Sequence, residues 1–392
     1  MNAEVRAQFP GASAQVYLDI SAQSLIPEPM RAAIEEHTHR RMFVGGDKDE
    51  LRAGVERARV AFAEIINAAV DEVAITKNVS EGLNLFAASL PWESGDNVVV
   101  CPELEHPNNI YLWYNLGRRH GVEVRAVAPR NGHVPADEMT AAMDERTRVV
   151  TLPSVSFAPG FNTDTKGIAA SARRVGALTL VDAAQSIGAI RTDVQDLGID
   201  ALAVATQKCM LSLYGFGFLY IRREVADELV PVHVARFGID LGEAHETAFD
   251  GDDLKYQPGA LRFDLGNYNY LGAAAAEAAL GLLSEWGVER IEAHVRGLAA
   301  RLAAGLLELG LPVAGGAPGP HLAHIVSVGE SGGGRHYTAD DPAMNSLHEY
   351  LVGEGVQFSI RSGVLRFSVG VYNDADDIDR VVEAASRWTR RG

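Results

Sequence analysis

The sequence predicts an α/β fold in which helices cover both faces of a mostly parallel sheet. In the middle of the chain, short runs of β-branched residues alternate with stretches of helical periodicity. The predicted strands 178–181 and 201–205 are apolar without interruption, as are strands that a parallel sheet buries on both faces. A chain of 392 residues with 47% hydrophobic and 22% charged residues is also long enough for two domains.

The elements follow in chain order. Strands are predicted at 73–76, 97–101, 122–127, 148–153, 178–181 and 201–205, with helices at 80–90, about 108–120 and 165–175 between them. The run GFLYI at 217–221 lies so close to the preceding strand that we expect it to run antiparallel to that strand.

The pattern of predicted helices and strands changes after about residue 271. Helices at 271–286, 288–309, 342–353 and 374–390 are interspersed with strands at 324–328, 356–360 and 364–369. This order predicts a smaller α+β domain at 271–392, a large domain at 26–270 and an N-terminal segment, 1–25, that joins the small domain. The stretches 238–259 and 329–341 read as long loops, which often serve as lids or subunit contacts.

Charge and cysteine content exclude several classes of protein. The formal net charge of −17 argues against binding to nucleic acid or to anionic membranes, since both require basic patches. Two cysteines, Cys101 and Cys209, are too few for a disulfide framework. No signal-peptide pattern and no apolar run long enough to span a bilayer is evident, so we expect a cytoplasmic protein.

Lys208 and Asp182 both follow predicted buried strands. Burial disfavours the charged form of a lysine, and one use of such an amine is a Schiff base; the alternative is a lysine that extends to the surface from a turn. Pyridoxal 5′-phosphate (PLP) needs a carboxylate beside its pyridine nitrogen, and Asp182 suits that place, with Gln185 able to donate to the phenolic oxygen. An ordinary helix cap is the alternative for Asp182.

Three further segments hold candidate site residues. The motif NVSEG at 78–82 lies between a strand and a helix, where backbone N–H groups bind phosphate and Ser80 adds a hydroxyl, although a simple N-cap explains it equally well. His106 follows a strand and suits ring stacking and proton transfer, or is a surface histidine. Arg366 suits bidentate binding of a substrate carboxylate, or is a surface arginine.

The order of these signals resembles the class V aminotransferase family, which includes cysteine desulfurases, selenocysteine lyases, isopenicillin N epimerase-like enzymes and small aminotransferases. The resemblance runs from VYLD at 16–19 to VGVYNDADDID at 369–379. Its motifs are NVSEGLN at 78–84, EHPNN at 105–109, VDAAQS at 181–186, TQK at 206–208, GFGFLY at 215–220 and RFDLGNYN at 262–269. The resemblance implies PLP-dependent fold type I, with a mostly parallel sheet of the seven-stranded type in the large, PLP-binding domain.

The resemblance also implies residue roles. Lys208 is then the Schiff-base lysine, Asp182 the partner of the pyridine nitrogen and His106 the stacking histidine, and these three are the expected catalytic residues. The further residues implied at the cofactor are Gln185, Val79, Ser80, Glu81, Thr206, Gln207 and Asn267. Asn267 falls where a threonine of the neighbouring subunit reaches the phosphate, so the resemblance implies a homodimer with a shared active site. Arg366 is the implied carboxylate ligand.

Two departures from the desulfurase pattern bear on the activity. Desulfurases carry a sulfur-accepting cysteine shortly before the carboxylate-binding arginine, whereas QFSIRSGVLR at 357–366 has none, and Arg361 or Ser362 is expected to line that pocket instead. Phe157 stands where desulfurases have an asparagine near the ring. Persulfide-forming desulfuration by a protein cysteine is therefore not expected.

The expected function is PLP-dependent chemistry at the α-carbon of an amino acid, with β-elimination of the C–S lyase type on a cysteine-like substrate favoured. A class V aminotransferase and an epimerase remain open, because the three fates share one site and differ only in proton placement. A non-catalytic scaffold with the PLP fold is a further alternative. A nucleotide-binding protein ranks below these, since no G-x-G-x-x-G or P-loop motif follows an early strand.

Overall fold

The computed structural model describes residues 1, 3–242, 244, 254–335 and 337–391. Much of the predicted loop 238–259 therefore lies outside the described residues, as does residue 336 of the loop 329–341. No described helix is long and apolar enough to cross a membrane.

The structure describes the following α-helices. They are α1 (Ala3–Ala7), α2 (Pro10–Ala14), α3 (Glu28–Phe43), α4 (Lys48–Ile66), α5 (Val79–Ala88), α6 (Tyr111–His120), α7 (Ala136–Ala141), α8 (Thr165–Arg174), α9 (Val194–Leu197), α10 (Arg223–Glu228), α11 (Tyr270–Trp286), α12 (Val288–Glu308), α13 (Pro342–Gly353) and α14 (Ala375–Thr389). The strands are β1 (Val16–Tyr17), β2 (Val73–Thr76), β3 (Asn97–Val100), β4 (Glu123–Ala126), β5 (Thr147–Pro153), β6 (Leu178–Asp182), β7 (Ala201–Ala205), β8 (Gly217–Ile221), β9 (Ile325–Val328), β10 (Val356–Gln357), β11 (Ser359–Arg361) and β12 (Val364–Ser368).

The central sheet has seven strands in the order β2-β8-β7-β6-β5-β3-β4, which confirms the predicted α/β class. β8 is antiparallel to both of its neighbours, β2 and β7, as its short connection to β7 predicts. The pairs from β7 through β6, β5 and β3 to β4 are parallel. The carboxyl ends of the parallel strands consequently meet along one edge of the sheet, where α/β proteins bind their ligands.

Helix α5 packs closely against the centre of this sheet. A Cβ on Gly82, in the first turn of α5, would lie 2.9 Å from the Cβ of Ala203 on β7. The two residues are therefore small where helix and strand meet, and the N-terminus of α5 is held beside the end of β7. This contact brings the predicted phosphate-binding turn towards the segment that carries Lys208.

The C-terminal part of the chain forms a second sheet, in the order β11-β12-β9, with antiparallel pairing throughout. β1 pairs in parallel with β10, so the N-terminal segment lies against the C-terminal part of the chain. The division into domains stays a prediction. The single strand predicted at 356–360 is wrong: it is two strands, because β10 pairs with β1 while β11 pairs with β12.

Two segments differ from the predicted elements, one near the N-terminus and one near the site. The sequence analysis gives no element for residues 28–66, which form α3 and α4. α3 buries only Met30 and is otherwise polar or exposed, so it lacks the apolar stripe that identifies a packed helix. The helix predicted at about 108–120 begins as a 3₁₀ turn at Pro107–Asn109 before α6, because Pro107 suits the first position of such a turn.

Candidate active site

A small cavity at the carboxyl edge of the central sheet brings four predicted site residues together: Lys208, Asp182, Gln185 and His106. Its remaining wall is formed by Glu105, Pro153, Val155, Phe157 and Ala184. These residues follow β3, β5, β6 and β7, which are neighbours or near neighbours in the sheet. The sheet order therefore gathers side chains that lie up to about a hundred residues apart in the sequence.

Asp182 is the last residue of β6 and is buried. Its Oδ1 accepts a hydrogen bond from the Ala184 backbone N–H at 3.0 Å. Burial raises the pKa of Asp182, while the Ala184 N–H and the nearby Lys208 and His106 oppose that rise by favouring the carboxylate. Asp182 is thus an anion placed where a cationic ring nitrogen would offset its burial.

Lys208 stands half-buried at the turn after β7. Burial lowers the pKa of its amine, the charge on Asp182 opposes the shift, and Arg366 adds to it. No carboxylate of the described residues forms an ion pair with this amine within 4 Å, and a neutral amine is the form that attacks a carbonyl carbon. Lys208 therefore has an amine of lowered pKa that forms no salt bridge with the described residues.

The turn that carries Lys208 is held against the loop that carries Gln185. A Cβ on Gly188 would lie 2.1 Å from the carbonyl oxygen of Cys209, and Gly188 has a φ of +93°. Only glycine fits both restrictions. Gly188 thus lets the loop after Asp182 approach the backbone next to Lys208.

Gln185 is buried and leaves one polar atom without a partner. Its Nε2 donates to the Ser21 carbonyl oxygen at 3.2 Å, while its Oε1 is buried with no hydrogen-bond partner among the described residues. A buried polar atom left in this state costs free energy unless a bound molecule satisfies it. The orphaned oxygen marks the wall beside Asp182 as a ligand-binding surface.

His106 lies exposed at the edge of the cavity. Its Nδ1 accepts from the Asn108 backbone N–H at 3.3 Å, and its ring meets that of Phe157 edge-on with centroids 5.7 Å apart. Desolvation by the surrounding protein and the charge on Lys208 lower the pKa of His106, with Asp182 opposing. The lowered pKa favours the neutral imidazole, and the ring lies at the cavity in contact with Phe157.

The predicted phosphate cradle lies at the N-terminus of α5. Asn78 caps the helix through a bond from the Glu81 N–H to its Oδ1 at 2.9 Å, and the Glu81 carboxylate accepts from the Lys77 N–H at 2.5 Å. The Glu81 N–H therefore already donates to the cap. A phosphate at this helix terminus would be bound by the N–H groups of Val79 and Ser80 instead of that of Glu81. The N-cap is observed, and it is compatible with an anion at the same helix terminus.

Arg366, on β12, is fully buried next to the cavity. Its Nη1 donates to the Phe157 carbonyl oxygen at 3.1 Å, and its Nη2 lies 3.5 Å from Oδ1 of Asp19 and 3.3 Å from Oγ of Ser359. Nε has no partner among the described residues. Burial lowers the pKa of Arg366 to about 10, while Asp19 supports the charge. Arg366 thus keeps hydrogen-bonding capacity for another acceptor.

Arg361 lies on β11, the strand paired with β12. In this hairpin Ser359 is opposite Arg366, and Arg361 lies two residues along from Ser359, so both arginines are on the same face. The guanidinium of Arg361 donates to the Ile360 carbonyl oxygen at 2.9 Å and lies 4.6 Å from the ring centre of Tyr337. No carboxylate of the described residues forms an ion pair with it.

Three further predicted cofactor residues, like Val79, Ser80 and Glu81 of the predicted cradle, do not line the cavity. The Thr206 hydroxyl donates to the Leu213 carbonyl oxygen at 2.7 Å. Gln207 lies next to Lys208, and its backbone oxygen accepts from the Ser24 N–H at 3.0 Å. Asn267, with a φ of +44°, lines a separate groove that also contains Glu81.

Sequence reasoning missed two acidic residues of the site. Glu105 lines the cavity, and Asp19 is bonded to Ser359 and Arg366. Both residues occur inside the motifs EHPNN and VYLD, so the motifs included them without a role. Only the folded chain places these carboxyl groups beside Asp182 and Arg366.

The sequence matches the family model described as Aminotransferase class-V over residues 16–381. The chain belongs to the class V aminotransferase family. It is accordingly a PLP-dependent enzyme that acts on an amino acid, and its fold is PLP-dependent fold type I.

Relatives of this class V enzyme carry two kinds of name. It is 34% identical over 312 residues to the uncharacterized aminotransferase YcbU of Bacillus subtilis, covering 79% of this chain and 80% of the relative. It is 36% identical over 297 residues to a probable cysteine desulfurase of Methanothermobacter thermautotrophicus, covering 74% and 72%. The apo structure of a cysteine desulfurase from Thermococcus onnurineus NA1 superposes with a TM-score of 0.84 at 26% identity, over 99% of this chain and 98% of that one.

The residues of the cavity fit PLP. Asp182 offers a buried carboxylate, Gln185 an amide whose Nε2 has a second N–H beyond the one given to Ser21, and Lys208 an amine whose pKa burial has lowered. The N-terminus of α5 lies at the same edge of the sheet, where N–H groups favour an anion. The class V enzyme thus holds groups for the ring, the aldehyde carbon and the phosphate of this cofactor.

Proposed function

We propose that the enzyme catalyses β-elimination of the C–S lyase type on a cysteine-like amino acid. The observation that carries the proposal is the meeting of Lys208, Asp182, Gln185 and His106 in one cavity, with Arg366 bonded to its wall through Phe157. PLP, when bound, supplies an electron-withdrawing ring that stabilises negative charge at the α-carbon of an amino acid.

Each residue has a proposed part. Lys208 would hold the cofactor covalently, and its free amine would be the base that removes the α-proton. Asp182 would keep a proton on the pyridine nitrogen, Gln185 would donate its second Nε2–H to the phenolic oxygen, and His106 would stack on the ring. Arg366 binds the α-carboxylate, with Arg361 beside it. Val79, Ser80 and the neighbouring residues Thr206 and Gln207 hold the phosphate.

The two cysteines favour elimination over transfer of sulfur to the protein. Cys101 and Cys209 are both buried, and burial raises the pKa of each thiol to about 12. A sulfur acceptor must be an accessible thiolate, which neither provides. A small sulfur product released to solvent is the outcome that this arrangement supports.

Transamination is the second candidate, because the relative YcbU is named an aminotransferase. Transamination would use the same residues. It would differ from elimination because the proton would return to the cofactor and no sulfur group would leave. Epimerisation, by return of the proton on the opposite face, uses the same groups again.

We further propose a homodimer whose active sites are shared. Asn267 lies outside the cavity of Lys208 in its own chain, in a groove with Glu81. The proposal rests on the family resemblance, in which the residue at the position of Asn267 reaches the phosphate bound by a second copy.

The test is an absorbance spectrum of the purified enzyme between about 300 and 550 nm, the range of PLP, before and after addition of L-cysteine, S-alkyl cysteines and common amino acids. A yellow band that Lys208→Ala removes supports the assignment of the lysine. Release of pyruvate supports elimination, while amination of the cofactor without pyruvate supports transamination instead. A protein that stays colourless with added PLP would refute both.

A further inference from the structure

Glu105 forms part of the cavity wall, yet the proposed mechanism gives it no role. Its side chain is buried, with 2% of the residue exposed. Oε1 accepts a hydrogen bond from Nδ2 of Asn109 at 2.8 Å, whereas Oε2 is buried without a partner among the described residues. A carboxyl group with one satisfied and one unsatisfied oxygen requires an explanation.

The satisfied oxygen is held by a buried network. Nδ2 of Asn109 also donates to Oγ1 of Thr151 at 2.8 Å, and Nε1 of Trp113 donates to Oδ1 of Asn109 at 3.3 Å. Asn109, Thr151 and Trp113 are fully buried. Because no member is free to turn towards solvent, the network fixes the carboxyl group of Glu105 in the wall.

Asp182 places a second buried carboxyl group on the same cavity. The other titratable groups on this wall are His106, on the same segment as Glu105, and Lys208, after β7. Asp182 has the Ala184 N–H at 3.0 Å and the attraction of Lys208 and His106. Glu105 has only the Asn109 amide and the His106 backbone N–H, and neither carries a charge.

Two carboxyl groups in one desolvated cavity do not both ionise. The better supported group ionises first, and its charge then opposes ionisation of the other. Burial and, after it, the charge on Asp182 raise the pKa of Glu105 well above its usual range.

We propose that Glu105 and Asp182 are a coupled pair of carboxyl groups that together carry one negative charge, with Asp182 ionised and Glu105 protonated. Because Oε1 accepts from Asn109, the proton lies on Oε2. Glu105 is therefore a positioning residue: because it is neutral, it leaves the one negative charge of the pair on Asp182, through which alone it acts on the cofactor. The inference does not depend on whether elimination or transamination follows.

The first test is infrared difference spectroscopy of the PLP-loaded enzyme near neutral pH, with Glu105→Gln compared to wild type. We expect Glu105→Gln to remove a C=O band of an un-ionised carboxyl group, one that shifts in D₂O. Glu103→Gln, a change at an exposed carboxylate in the same segment, is the matched control and should leave the band. If Glu105→Gln removed only bands of ionised carboxylate groups, Glu105 would be ionised in the wild type, and the proposal would be overturned. If that variant does not fold, Glu105→Asp should move the band.

The second test measures the coupling between the two groups. The midpoint at which the Glu105 band disappears is followed with rising pH in the PLP-reconstituted wild type and in Asp182→Asn. Removal of the charge at position 182 should lower the midpoint by about one pH unit or more, because a neighbouring anion no longer opposes ionisation. A purely structural glutamate would titrate at the same pH in both proteins, and that result would refute the pairing.

Discussion

Nη1 of Arg366 donates to the carbonyl oxygen of Phe157 at 3.1 Å, and this bond joins the C-terminal sheet to the wall of the cavity. Arg366 lies on β12, while Phe157 follows β5 of the central sheet. The guanidinium is thus held beside the cavity by backbone and by Asp19, and its Nε is left for a ligand. The proposed role of Arg366 in binding the substrate carboxylate can therefore be tested directly.

Arg366→Lys should raise KM for the amino acid about a hundredfold with a smaller change in kcat. An ammonium group cannot reproduce the planar fork that serves Phe157, Asp19 and a carboxylate at once. Arg361→Lys is the matched comparison, and we expect about a tenfold rise because its guanidinium has no buried carboxylate partner. Steady-state kinetics on the pair decide the point: equal KM values in wild type and Arg366→Lys would contradict it.

Gly188→Ala should destabilise the enzyme by several kcal/mol, about 3 or more, and weaken retention of PLP. The added methyl would meet the Cys209 carbonyl and displace the turn that carries Lys208. Gly176→Ala controls for backbone strain, since Gly176 also has a positive φ, +79°, but nothing within 4 Å of the added carbon. We expect the control to cost about 1 kcal/mol. Urea unfolding and PLP titration of both variants provide the comparison, and equal losses would exclude the steric explanation.

His324 should make the enzyme sensitive to acid. It is fully buried between Ser21 and Cys209, and burial lowers its pKa to about 3. The unfolded chain binds a proton at this residue below about pH 6.5 and the folded chain does not, so stability falls as pH falls from about 6.5 towards 3. This residue alone should change the folding equilibrium by about tenfold per pH unit in that window.

The measurement for His324 is unfolding followed between pH 7 and about 4.5, inside the window set by the two pKa values. His324→Gln should reduce the slope of the free energy of unfolding against pH by the contribution of one proton. His120→Gln, at an exposed residue of α6, should leave this slope unchanged. Parallel curves for His324→Gln and wild type would show that the imidazole is protonated in the folded enzyme.

Mixed dimers test the shared active site. Lys208→Ala and Asn267→Asp should each be nearly inactive, the second because a carboxylate repels the phosphate. A heterodimer of the two chains contains one site with an intact Lys208 and an intact Asn267, so co-expression should restore up to about half of the wild-type activity per dimer. Activity that stays absent in purified heterodimers would place Asn267 in its own chain's site, and an Asn267→Asp variant with full activity would place it outside any site.

The sequence by itself determined the α/β class and most element positions of the central sheet. Uninterrupted apolar runs such as β7 and alternation with helices require burial on both faces, whatever the rest of the chain does. It also determined which polar residues follow those strands, and therefore that Asp182 and Lys208 share an edge. Residues 28–43 were not predicted because α3 buries only Met30, so its pattern carries no signal. This reason does not extend to α4, which buries Val55, Phe62 and Ile66 at helical spacing.

Only the tertiary structure decided how the groups at that edge interact. The protonation of Glu105 depends on its distance in space from Asp182, which lies 77 positions along the chain. Whether Arg366 can bind a ligand depends on its contacts with Asp19 and Phe157. The pairing of β1 with β10 brings Asp19 to Arg366, and the segment after β5 brings Phe157 there. Charge interactions fall off with distance and grow with burial, and neither quantity is written in the order of residues.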